Sequence, residues 1–143
     1  MDIRPLSPAY AVSPQIGVED IPAIVAAGYR TVLCNRPDAE VPAQLQAAAI
    51  KDAAEAAGLR FVLNPVTHQT LNMDMVAAQN AAMAASDGPV LAYCASGTRS
   101  SIVWSLGQAG TMATDDIIAA TTSAGYDLQG MRGQLDNLAQ GQS

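Results

Sequence analysis

Pro89-Val90-Leu91-Ala92-Tyr93-Cys94-Ala95-Ser96-Gly97-Thr98-Arg99-Ser100 decides how this chain folds. Pro89 to Tyr93 is a short apolar run of the kind that forms a buried strand, and a helical pattern begins at Ser100. The residues between them must form a tight loop with a thiol at its start. Four residues separate Cys94 from Arg99, so the backbone has to curl, and Gly97 supplies the dihedral freedom for it. The N–H groups of such a loop converge above the sulfur. With a helix N-terminus just beyond and a guanidinium beside it, they form an anion site that favours thiolate over thiol at Cys94.

Strand–loop–helix units recur along the rest of the chain. A short strand is expected around Tyr10-Ala11-Val12, followed by a helix from Val18 to Ala27 with Ile21, Ile24 and Val25 on one face and Gly28 as its stop. Arg30 to Cys34 reads as the next strand and Asn35-Arg36-Pro37-Asp38 as the turn after it. An alanine-rich helix from Pro42 to Ala57 closes at Gly58, and a third strand covers Leu59 to Leu63 before Asn64-Pro65 breaks it. Asn72 caps a helix carrying Met73, Val76 and Met83 on one face and ending near Asp87-Gly88-Pro89. The strand leading to Cys94 comes next. Three helices follow: Ser100 to Ala109, Thr114 to Ala124 with Thr114 as cap, and Asp127 to Leu138 with Asp127 as cap and Leu128, Met131, Leu135 and Leu138 in register. This alternation predicts an α/β fold with a parallel sheet of about four or five strands, flanked by helices on both faces. Ligands of such sheets gather at the carboxyl ends of the strands, where Cys94 stands.

Composition narrows the setting. The 143 residues fit one domain spanning 1–143, half of them hydrophobic, which is enough to bury a core. With 14% charged residues and a net charge of −6, the chain has no basic patch for a nucleic-acid backbone. The N-terminal residues have no secretory signal pattern, and no apolar stretch is long enough for a membrane span, so a cytoplasmic protein is expected. Two cysteines 60 positions apart make neither a disulfide framework nor a zinc motif, and no metal or cofactor is expected.

Cys94 is the candidate nucleophile; Ala95, Ser96, Gly97, Thr98 and Ser100 form the candidate anion loop. A cation at a helix start is unfavourable unless it faces an anion, so Arg99 is assigned to the substrate, where its planar fork suits an oxyanion. Ser100 is either the helix cap or a hydroxyl donor to the sulfur. His68, the only histidine, follows the third strand on the same rim and is the candidate general acid. Asp74 reads as a helix-dipole charge. Arg36, Asp38 and Glu40 follow the second strand and either line the rim or form an ordinary polar turn. Cys34, at the end of that strand, reads as a buried cysteine or as a resolving thiol for Cys94.

The Cys94–Ser100 segment, Asn35-Arg36-Pro37-Asp38 with Glu40, and Pro65-Val66-Thr67 together resemble the phosphatase-like domain of bacterial beta-lactamase-hydrolase-like proteins, over nearly the whole chain. The resemblance implies a shortened protein tyrosine phosphatase of the dual-specificity type, with the cysteine loop at the C-terminal rim of a parallel sheet. The chain departs from those phosphatases in two places, and from the family itself in a third. They have five residues between cysteine and arginine, whereas this chain has four, as rhodanese sulfurtransferases do. No aspartate stands near Thr67 and His68, where a phosphatase acid would be expected. Ala95 occupies a position at which the family often has arginine.

Loop length separates the chemistries. A phosphoryl group needs donors around three oxygens and an acid for the departing alkoxide, whereas a sulfane sulfur needs only a small pocket that stabilises a persulfide. A short loop therefore favours a sulfurtransferase working through a Cys94 persulfide. The alternative is a phosphatase forming a cysteinyl-phosphate, and the third reading is a non-catalytic anion-binding module. In each case the partner is a small anion, either a sulfane-sulfur donor or a phosphate ester.

Overall fold

A computed structural model describes residues 1–67, 69 and 71–141. Five strands, β1 (Arg4–Ser7), β2 (Tyr10–Ser13), β3 (Thr31–Cys34), β4 (Arg60–Leu63) and β5 (Val90–Tyr93), form one sheet in the order β1-β2-β5-β3-β4. All pairs are parallel except β1 with β2. The helices are α1 (Ile21–Ala26), α2 (Ala47–Ala56), α3 (Met73–Ala85), α4 (Thr98–Gln108), α5 (Thr114–Ser123) and α6 (Arg132–Gly141). None of the described helices is long and apolar enough to cross a membrane.

The three inner strands are buried on both faces, and this is why they read as unbroken apolar runs. Alternate residues divide between two cores. Ala11, Val32, Cys34, Leu91 and Tyr93 pack with Ile21, Ile24, Ile50 and Ala54 of α1 and α2. Tyr10, Val12, Leu33, Val90 and Ala92 face the other way, onto Val76 of α3, Trp104 of α4, Ile117 of α5 and Leu135 of α6. Tyr10 stacks on Trp104 with ring centroids 6.0 Å apart. Because β5 lies between β2 and β3, its C-terminal end opens where the chain changes sides of the sheet, and Cys94 follows directly.

Several expected boundaries move, each for a local reason. β1 is not evident in the sequence because only Leu6 of its four residues is buried; Pro5 is tolerated since the strand lies at the sheet edge. The Val18–Ala27 segment opens as a 3-10 turn (Val18–Asp20) before α1, and Val25 faces solvent. The Pro42–Ala57 helix is interrupted because Gln46 is extended, its side-chain amide donating to the carbonyls of Asp38 and Val41. In α3, Val76 is buried and Met83 partly so, but Met73 is exposed and Gln79 takes a fully buried position on that face. Thr114 is the first residue of α5 and Ala113 its cap. Asp127 serves a separate 3-10 turn (Gln129–Met131), accepting from the Gln129 N–H, and α6 starts only at Arg132.

Candidate active site

The loop after β5 is shaped by where its carbonyls go. Gln15 N–H donates to the Ala95 carbonyl (3.2 Å), the Tyr126 hydroxyl to that of Ser96 (2.9 Å), and Ser101 N–H and hydroxyl to that of Gly97 (3.0 and 2.8 Å). In a planar trans peptide the next residue's N–H points opposite to the carbonyl. Three carbonyls fixed in this way set the directions of the N–H groups that follow them, and Thr98 N–H meets Ser96 Oγ at 3.4 Å. Gly97 N–H does donate to Cys94 Sγ, at 3.1 Å. Gly97 is the N-cap of α4 with φ +97°, so the helix starts two residues earlier than Ser100, at Thr98. Ser96 and Thr98 hydroxyls bond each other at 2.9 Å across the mouth of the loop.

Ser100 is neither the cap nor a donor to the sulfur. It is fully buried and gives its one proton to Asn35 Oδ1 at 2.8 Å.

Arg99 is clamped. Its Nη1 and Nη2 donate to the two carboxylate oxygens of Glu40 at 2.8 and 2.7 Å, and Nη1 also donates to the Val66 carbonyl at 2.8 Å. Both protons of Nη1 and one of Nη2 are thereby engaged. The Nε–H and the second Nη2–H, the remaining edge of the fork, are used by neither Glu40 nor Val66. Glu40 holds the guanidinium more firmly in its charged form, and the nearby Cys94 sulfur acts in the same direction. Arg36 completes the cluster: its Nε lies 3.2 Å from Glu40 and its Nη1 donates to Gln15 Oε1.

An open cavity of about 550 Å³ lies over this cluster, lined by Glu40, Thr67, Gln69, Ala95, Ser96, Thr98 and Arg99. Cys94 is 1% exposed beneath the loop. Of the residues expected at the rim, Arg36 joins through Glu40. Asp38 does not, because its carboxylate accepts from Ala47 N–H at the start of α2. Cys34 belongs to the core between the sheet and α2; its thiol donates to the Arg36 carbonyl at 3.3 Å, and burial pushes its pKa up. Both cysteines are free thiols. His68 lies outside the described residues.

Two groups at the site escape a reading of the sequence. Tyr126 lies thirty residues from the carbonyl it holds. Glu40 is visible as a rim residue, but its pairing with Arg99 spans 59 positions that only the sheet order brings together. Arg99, through its hydrogen bonds, holds the Glu40 carboxyl below the usual carboxylate range. A depressed folded value means the clamp is complete above the ordinary carboxylate pKa and is lost only as pH falls through the lower folded value. Glu40→Gln keeps the shape but replaces one acceptor oxygen with a donor facing a guanidinium N–H. It should lower kcat/KM for an anionic substrate about 10- to 100-fold, the scale of one charged hydrogen bond. The wild type should retain its activity into mildly acid buffer. An early acid loss that disappears in Glu40→Gln would show that the carboxylate is not held this way.

Residues 2–111 match the family model described as beta-lactamase hydrolase-like protein, phosphatase-like domain. A beta-lactamase hydrolase-like protein of Agrobacterium fabrum is 34% identical over 113 residues, covering 78% of this chain and 26% of its own length. One from Xylella fastidiosa is 32% identical over 130 residues, covering 90% of this chain and 30% of the relative. The chain thus spans about a quarter to a third of the curated relatives it matches. Among solved structures, a candidate phosphatase from Neisseria meningitidis superposes with a TM-score of 0.85 at 36% identity, over 96% of this chain and 99% of that one. The P. aeruginosa protein TpbA, solved in complex with pTyr, shares the fold with a TM-score of 0.66 at 14% identity, over 98% of this chain and 89% of its own.

Proposed function

Because the chain belongs to the phosphatase-like domain family of beta-lactamase hydrolase-like proteins, we propose that it hydrolyses phosphate monoesters through a cysteinyl-phosphate at Cys94. The observation that carries this reading is the clamped Arg99. Glu40 and Val66 hold the guanidinium by Nη1 and one side of Nη2, so that neither uses its Nε–Nη2 edge, next to a loop whose Gly97 N–H meets the Cys94 sulfur. Bidentate donation of this kind matches a phosphoryl group. In the proposed reaction Cys94 Sγ attacks phosphorus, the P–O bond to the alcohol breaks, and the departing oxygen takes a proton. Water then cleaves the S–P bond and releases phosphate and the thiol. The pTyr bound by the structural relative TpbA makes an aryl phosphate the first substrate to try.

Sulfur transfer keeps one observation in its favour, the four-residue spacing between Cys94 and Arg99. The two chemistries differ in their need for a proton donor. Glu40 is the one carboxylate among the described residues that line the cavity, and Arg99 keeps it ionised, so it is a poor acid. His68 stands in sequence between Thr67 and Gln69, which both line the cavity, and we assign it the leaving-group proton. Wild type and His68→Ala would be assayed for phosphate release from aryl and alkyl phosphates, and for thiocyanate from thiosulfate and cyanide. Phosphate release should dominate. His68→Ala should depress alkyl phosphate turnover about 100-fold, on the scale of general acid catalysis, with a much smaller effect on a nitrophenyl ester. Thiocyanate formation that dominates and ignores His68 would establish sulfur transfer instead.

A further inference from the structure

Beneath the cysteine loop, side chains from β2, the β3 and β4 ends, α3 and α4 form a buried hydrogen-bond network. Gln79 is its hub, with no exposed surface. Its Nε2 donates to the Tyr10 hydroxyl (2.9 Å) and to Asn35 Oδ1 (3.3 Å), while its Oε1 accepts from Asn35 Nδ2 and Asn64 Nδ2, both at 3.0 Å. Asn35 is equally saturated: Oδ1 also accepts from Ser100 Oγ, and Nδ2 also donates to the Asn64 carbonyl at 2.9 Å. Tyr10 passes its own proton to the Ser100 carbonyl at 2.9 Å. Only one orientation of the Gln79 amide satisfies these partners, because a flip would set its N–H groups against two amide donors.

Asn35 reaches Arg99 from both ends. Through Ser100 Oγ it fixes the residue next to Arg99 on α4. Its own carbonyl accepts from Val66 N–H at 2.8 Å, and the Val66 carbonyl is one of the two anchors of the guanidinium. The other anchor, Glu40, lies outside the network. Buried polar networks with every group satisfied are rigid and have little tolerance for a missing member. A catalytic scaffold that needed only stability would be served as well by apolar side chains at these positions.

We propose that Gln79 and Asn35 are positioning residues that set the anion-binding geometry of Arg99, an inference that rests on the reading of Arg99 as the anion-binding group. The test is a double-mutant cycle of Gln79→Met with Arg99→Lys, read as the concentration of inorganic phosphate that half-protects Cys94 from iodoacetamide. Turnover of nitrophenyl phosphate is measured alongside. Gln79→Met should raise the half-protecting concentration about tenfold, within the range of measured couplings between networked residues. Alkylation of Gln79→Met without phosphate should stay within about twofold of wild type, because Gly97 N–H still donates to the sulfur. In the Arg99→Lys background Gln79→Met should add nothing further. An equal loss in both backgrounds would reduce Gln79 to a structural role and overturn the proposal, as would failure of phosphate to protect the wild type. If Gln79→Met does not fold, Ser100→Ala, which removes a single hydrogen bond, enters the same cycle with the same expectations. Protection that follows this pattern in a protein that releases no phosphate from esters would support the positioning role while overturning ester hydrolysis.

Discussion

Replacing Cys94 with serine should abolish turnover, by about 10⁴-fold or more, while leaving the oxyanion site able to bind. The hydroxyl is nearly isosteric with the thiol, so Gly97 N–H keeps an acceptor and the loop keeps its shape. Arg99 is held by Glu40 and Val66, contacts that the exchange leaves in place. What disappears is the sulfur nucleophile, for which a serine hydroxyl is a far weaker substitute. The measurement is single-turnover phosphate release beside phosphate affinity by calorimetry. Turnover in Cys94→Ser within tenfold of wild type would remove Cys94 as the nucleophile, whichever group is transferred.

Gly97→Ala should also be damaging, for a steric reason. The added Cβ would lie 2.0 Å from the Tyr126 hydroxyl and 2.8 Å from its ring carbon, far inside contact distance. The φ of +97° adds a backbone penalty of about 1–2 kcal/mol for any residue with a side chain. Tyr126 cannot simply withdraw, because its hydroxyl holds the Ser96 carbonyl and Arg4 lies over its ring at 5.2 Å. Turning that carbonyl reverses the Gly97 N–H that meets the sulfur. A loss of about 100-fold or more in kcat/KM, the cost of removing an oxyanion donor, is expected together with a lower melting temperature. Near-wild-type kinetics in this variant would mean that the loop conformation is not the one that reacts.

The sequence makes the cysteine loop legible because its parts are contiguous: strand, thiol, glycine, arginine and helix follow one another within a dozen residues. The inner strands are legible because burial on both faces leaves unbroken apolar runs. What stays hidden depends on distant partners. Gln79 interrupts an otherwise alanine-rich stretch of α3, and its position three residues after Val76 and four before Met83 marks it as facing the core. That spacing was the available signal, but a periodicity reading passes over a polar residue. Asn35 reads as the start of a turn, yet its backbone carries on the pairing of β3, its N–H donating to the Tyr93 carbonyl and its carbonyl accepting from Val66 N–H, and its side chain ties three segments together. Ser100 reads as a cap because serine commonly is one; here Gly97 takes that place and frees the hydroxyl for the interior.

The support given by Tyr126 bears on how much chain the chemistry requires. The family match ends at residue 111, and the tyrosine that orients the Ser96 peptide comes fifteen positions later, between α5 and α6. Ile117, Ile118 and Leu135 of these two helices sit in the same core as Trp104 and Tyr10. The smallest portable unit of this active site therefore extends past the recognised family boundary, and its C-terminal helices act as a brace for the loop as well as a cover for the sheet.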